Sequence, residues 1–232
     1  MDMDMTMESA VPAWLTPVAW TYLTLSVMSA TFIAADIYLG RRRHHSIAVE
    51  LVWIASGLYL GPFAIAFYLN RGRINTEIAP AHQSTGRPAD TAAALLPGGG
   101  ASAVAHLIVV PFVVAVGWTI AGLAMWPMMI LIAILAIVMV AVYERVAGSG
   151  SRSGHTGRLS VGAAIVAAVI TVVAFDIGMV GWMLLLHFNN VMPAVTDGTF
   201  WFLMQVGVLV GLLTGYPAVK WLLSRNQTIV PA

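Results

Sequence analysis

The chain has 232 residues, 11 Lys and Arg against 10 Asp and Glu, and a net charge of +1; 59% of it is hydrophobic and only 9% charged. Soluble domains carry roughly 25% charged residues, so with a mean hydropathy of +0.87 there is too little polar surface to coat a globule in water, and the near-neutral balance excludes a basic nucleic-acid binder. The absence of cysteine excludes disulfides, iron–sulfur clusters, thiolate zinc sites and cysteine nucleophiles.

Residues 1–13 form a tail with Asp2, Asp4 and Glu8 and no Lys or Arg. A secretory signal begins with positive charge, so the first apolar run is expected to stay in the mature chain. A spanning helix needs about 20 apolar residues. Trp14 to Leu39 supplies one run and Ile47 to Leu69 a second, with Gly61-Pro62 inside it. Residues 70–102 read as a flexible loop, the Pro/Gly/Ala/Thr-rich stretch Arg71 to Gly100 having little periodicity. Ala103 to Val142 is apolar apart from His106 and about twice too long for one crossing. It is expected to fold back near Gly122 to Pro127 as a hairpin over residues 103–145. After a linker at 146–160, Val161 to His187 and Phe200 to Leu223 supply the last two helices, within 161–225. The expected fold class is all-α: a polytopic transmembrane helical bundle of about six spanning helices.

With six spans both termini share a side, and placing them inside puts eight of the eleven Lys and Arg inside. The compact Arg41-Arg42-Arg43-His44-His45 cluster pulls the other way.

Ionisable side chains at membrane depth cost at least ~2.5–3.5 kcal/mol, so they are the first candidates for function. Glu50 and Lys220 lie near helix ends and read as interfacial anchors. Asp36, a turn before the Arg cluster, reads as an interfacial ion pair or a buried polar group. His106 stands alone on an apolar face and reads as a structural hydrogen bonder. Asp176 is mid-segment. Asp176, Met179, Met183 and His187 recur at spacings of three, four and four, which puts carboxylate, thioethers and imidazole on one helical stripe. Thioether and imidazole suit copper; the alternatives are a proton relay, or an interhelical partner for Asp176 with the methionines as packing. At the start of the chain Met1, Met3, Met5 and Met7 alternate with Asp2, Asp4 and Thr6. In an extended chain four thioethers then share one side, a Cu(I)-type donor set or else a solvated tail. Gly207, Gly211 and Gly215 recur every four residues, a pattern that permits close helix–helix approach. Gln205 beside them reads as a cross-helix hydrogen bonder.

Phe175-Asp176-Ile177-Gly178-Met179-Val180-Gly181-Trp182-Met183, Phe200-Trp201-Phe202-Leu203-Met204-Gln205, and then Gly211, Thr214, Tyr216-Pro217 and Trp221-Leu222 resemble a bacterial membrane family called domain of unknown function 4396. Ala35-Asp36-Ile37-Tyr38-Leu39 and Tyr59-Leu60-Gly61-Pro62 are similar to it too, so the likeness lies in the first and the last 70 residues. The resemblance implies a multi-pass protein of the bacterial cytoplasmic membrane. Members commonly carry a Met/His-rich N-terminus and some are found beside copper proteins, which implies a copper link. The chain departs from the family's usual pattern in having Gly98-Gly99-Gly100-Ala101-Ser102 where a His/Cys block is common, Asp176 where Glu is usual, and Val219 where Asn is frequent.

Together these features predict an accessory or structural subunit of a larger membrane complex, linked to copper handling. Its expected partners are the lipid bilayer and other proteins docked through apolar and Gly-rich helix faces, with no nucleic acid. Copper is the one cofactor suggested. The alternative is a small transporter or channel using Asp176. No nucleophile–base pair or phosphate loop is visible to name a reaction, so the chain reads as having no catalysis of its own.

Overall fold

The computed structural model describes residues 11–44, 46–73, 88–148 and 161–225. In lipid every backbone N–H and C=O must be satisfied within the protein, so long apolar segments close into helices. The helices are α1 (Leu15–Tyr38), α2 (Ile47–Leu60), α3 (Pro62–Phe67) running into a π turn (Tyr68–Gly72), α4 (Pro88–Val116), α5 (Met125–Gly148), α6 (Val161–Phe188) and α7 (Gly198–Ser224). Five of them, α1, α4, α5, α6 and α7, are long and apolar enough to cross a membrane. The outward side chains are apolar: Leu39 is 83% exposed, Phe188 76% and Leu213 75%. Apolar surface on this scale is stable against acyl chains rather than water. The chain is thus the expected all-α polytopic bundle.

The second apolar segment has a form that hydropathy does not reveal. α2 is only 14 residues long, about 21 Å, and the chain reverses at Gly61, whose φ of +56° suits glycine. α3 and the π turn then run back beside α2. Phe67 and Tyr68 each place a ring 5.6 Å from that of Trp53, and the Gly72 carbonyl lies 2.7 Å from His44 Nε2, just before α2 begins. Residues 47–72 are therefore a helical hairpin that enters and leaves at the same end of the bundle. Its tip is closed by other helices. Pro62 has no N–H to offer the carbonyl of Leu58, and the Gln205 amide of α7 donates to it instead at 2.6 Å. The Tyr59 carbonyl accepts from the Tyr22 hydroxyl of α1 at 3.0 Å.

Residues 70–102 are not all loop: α4 begins at Pro88, and its stretch Leu95 to Ser102 is buried. Glycines are poor helix formers, which is why the sequence reads as irregular here. Their missing side chains are what the packing uses. The Tyr59 ring lies against Gly99, where a Cβ would sit 2.8 Å from it, and Ala55 packs against Gly100. The Tyr59 hydroxyl donates to the Leu96 carbonyl at 3.3 Å. The fold-back expected near Gly122 to Pro127 falls between Gly117 (φ +68°) and Leu123. Ile120 and Leu123 exchange backbone hydrogen bonds of 3.1 Å there, and Pro127 lies in the first turn of α5.

Helix directions follow from the contacts. α7 runs with α1: Gly198 abuts Trp20, and the Phe202 ring is 5.5 Å from Tyr22. α6 runs against α7, with Trp182 Nε1 donating to the Leu203 carbonyl at 2.9 Å and Phe175 against Gly211. α4 also opposes α7, since Leu95 clusters with Val219 and Leu222 while Val113 clusters with Phe200. One end of the bundle, the near end, thus holds the start of α1, the turn 117–124 and the loop 189–197. The far end holds residues 39–46 and 73, the starts of α4 and α6 and the ends of α5 and α7. The five long helices leave Val11 and Arg225 at opposite ends of the bundle, where six straight spans would put both on one side.

α1 and α2 approach so closely that a Cβ on Gly57 would lie 2.6 Å from the backbone of Ala30. Gly57→Ala is expected to cost about 1–3 kcal/mol by overpacking. Gly181→Ala, where nothing lies within 4 Å, is expected to be neutral or stabilising by up to about 1 kcal/mol. Thermal unfolding in mild detergent compares the two, and equal melting points would contradict the close crossing.

Candidate functional site

α6 carries the predicted stripe, and the structure turns it toward a cavity of about 260 Å³ at the near-end half of the bundle. Asp176, Met179, Met183 and His187 all line it. Other segments add His106 from α4, Met125, Met128 and Met129 from the start of α5, and Met192 from the loop before α7. Six thioethers, two imidazoles and one carboxylate therefore border a single chamber whose remaining walls are apolar, with Val110, Ile132 and Phe200 among them.

Sequence position explains the gathering. α5 begins at Met125 immediately after the near-end turn, so Met125, Met128 and Met129 occupy its first two turns and face α4 and α6 across the hairpin. Met128 is buried in the cluster that also holds Val113, Met183, Phe200 and Met204. Asp176 lies deepest along α6 and His187 sits beside the near-end loop.

His106 is 5% exposed, and its Nδ1 is 2.7 Å from the Ser102 carbonyl. A carbonyl only accepts, so Nδ1 carries the proton, and in the neutral ring Nε2 keeps its lone pair. The Ser102 hydroxyl donates to the sulfur of Met179 at 3.4 Å. Ser102 thus links the imidazole of α4 to a thioether of α6. The single-histidine reading is half the picture: His106 makes its structural bond through one nitrogen and borders the chamber as well.

The other predicted residues lie elsewhere. Asp36 belongs to the far end, where it accepts from the Tyr68 hydroxyl at 3.0 Å and pairs with Arg73 at 3.2 Å and Arg42 at 3.8 Å. Glu50 is not an interfacial anchor: it is fully buried, pairs with Arg43 Nε at 2.7 Å and accepts the His44 backbone N–H at 3.0 Å. The chain's return to this end brings Arg73 to Asp36, whereas Arg43 meets Glu50 locally, and the hydrogen bond to Glu50 raises the Arg43 guanidinium further above its already high value. Lys220 is exposed. Gln205 serves the hairpin tip rather than the chamber. Gly207, Gly211 and Gly215 face their own chain: Trp182 and Met179 pack on the first, the Phe175 ring on the second, Leu95 and Phe175 on the third. Met1, Met3, Met5 and Met7 lie outside the described residues.

The stripe on α6 was legible because its members share one helix. Met125, Met128, Met129 and Met192 were missed, although Trp126-Pro127 beside a turn and Pro193 in a loop mark where two methionine-bearing segments meet the same end.

The polar and sulfur groups bordering the chamber are mostly soft thioethers. Among the described residues no three His, Asp or Glu side chains group as metal ligands, so thioethers must supply most of any coordination. Thioether with imidazole selects monovalent copper over zinc or the hard divalent cations.

This architecture defines a polytopic helical membrane protein with a methionine- and histidine-bordered chamber. Residues 89–227 match the family described as a domain of unknown function, DUF4396, and the chain belongs to that family. The match covers the middle of the chain and nearly all of the last 70 residues, where the resemblance also lies, but not the first 70; it takes in every residue of the chamber while leaving α1 and the α2–α3 hairpin outside. No curated protein and no solved structure is found to match the chain.

Proposed function

We propose that this is a membrane-embedded copper(I)-binding protein with an accessory role in copper handling. The observation that carries the reading is the convergence of Met125, Met128, Met129, Met179, Met183, Met192, His106 and His187 on one chamber. Thioethers are neutral donors, so they hold a monovalent ion without neutralising it and release it more readily than thiolates do. That suits a site that takes up an ion and passes it on. Asp176 offers the single compensating negative charge. Its place at mid-helix is costly unless a cation or a proton accompanies it. Met1, Met3, Met5 and Met7, which precede the first helix in sequence, offer a second set of the same donors.

Copper content decides the matter. Purified protein in mild detergent, reduced and incubated with Cu(I), is expected to retain copper after desalting, and a variant lacking residues 1–8 is expected to retain the chamber-bound share. No copper above background in either form overturns the proposal.

A further inference from the structure

The chain has 11 Lys and Arg, and the helix directions sort those among the described residues. Arg41, Arg42, Arg43, Arg71, Arg73, Arg145, Lys220 and Arg225 are at or close to the far end. Arg87, Arg152 and Arg158 fall outside the described residues. They belong to the connections 74–87 and 149–160, each of which joins two elements whose adjoining ends are both at the far end. The near-end segments 11–14, 117–124 and 189–197 contain no Lys or Arg at all.

Short loops rich in Lys and Arg stay on the cytoplasmic side during insertion, and acidic residues contribute little to the bias. Under six straight spans the Arg41–Arg43 cluster opposes the remaining cations. Once α2 and α3 form a hairpin that returns to its own end, that opposition disappears and every described cation lies on one side. The hairpin is itself fixed there by side chains of that end: Arg73 and Tyr68 on Asp36, and Arg43 on Glu50.

We infer that the chain crosses the membrane five times around a re-entrant hairpin, with Val11 outside and Arg225 in the cytoplasm. The near end then faces away from the cytoplasm. The chamber lies under the turn 117–124 and the loop 189–197, so its ion arrives from the extracytoplasmic side; this last clause alone rests on the copper reading.

The natural absence of cysteine makes the orientation directly measurable. Single-cysteine variants Ala13→Cys and Thr196→Cys report the near end, Leu39→Cys and Ser224→Cys the far end; all four positions are exposed. In intact cells a membrane-impermeant maleimide is expected to label Ala13→Cys and Thr196→Cys as fully as it does after membrane disruption. Leu39→Cys and Ser224→Cys are expected to lose all but background labelling until the membrane is opened. Labelling after disruption confirms that each variant is made and reachable. Ser224→Cys labelled in intact cells, or Ala13→Cys and Ser224→Cys behaving alike, overturns the five-crossing orientation. Failure of copper binding leaves the labelling pattern untouched, so the two readings fail separately.

Discussion

Replacing Met179 and Met183 together by leucine is expected to weaken copper(I) retention by more than the roughly 10–100-fold that loss of an outer-shell partner costs a metal site. Leucine and methionine are close in volume, and such swaps usually cost less than about 1.5 kcal/mol in a core. Both residues are buried, so the double variant tests donor chemistry without opening a large void. Competition with a chromophoric Cu(I) chelator reads the affinity, and circular dichroism reads the fold. Unchanged affinity in a folded double variant would place the ion elsewhere. The paired control is Met204→Leu, which is buried in the same cluster as Met183 but is not among the chamber's lining residues. It is expected to keep wild-type affinity.

Gln205→Leu is expected to destabilise the bundle by about 1–3 kcal/mol, the usual cost of stranding a buried acceptor, and by more where lipid offers no substitute. The amide of Gln205 donates to the Leu58 carbonyl at 2.6 Å, and leucine fills similar space with nothing to donate. Unfolding in a graded denaturing-detergent series measures the loss. A variant as stable as the parent would mean that the hairpin tip finds another donor or does not enter the bilayer.

The five long helices were legible because in lipid the apolar run is itself the structural signal: length times rise must match the hydrocarbon. The expected segments Val161 to His187 and Phe200 to Leu223 lie within one to two residues of α6 and α7. Residues 47–69 misled because hydropathy records burial, not direction. Ile47 to Leu69 is long enough to cross, yet a single positive φ at Gly61 turns it back. Pro97-Gly98-Gly99-Gly100 misled in the opposite sense. Local propensity argues against helix there, but tertiary contacts from Tyr59 and Ala55 need bare backbone at Gly99 and Gly100.

The chamber was half legible for a related reason. Spacing within one helix reveals which side chains share a face, so Asp176, Met179, Met183 and His187 could be grouped. No spacing rule connects Met192 or Met128 to them, because their meeting depends on which way three successive helices run. The glycine stripe on α7 shows the same limit. Its period announced a close contact, but only the fold shows that α6 and Leu95 of this chain occupy it, leaving it unavailable to a second protein.

The bond between Gln205 and Leu58 joins residues 147 positions apart, which gives the molecule a schedule. The hairpin emerges early in translation, but the side chain that quiets its exposed carbonyl arrives only with the last helix. Until then the half-buried turn has a polar reason to linger near the membrane surface. Completion of the C-terminal helix is therefore what seats the earliest re-entrant element. A ribosome stalled before α7 would leave a nascent protein whose hairpin is unsealed, and so open to quality-control proteases.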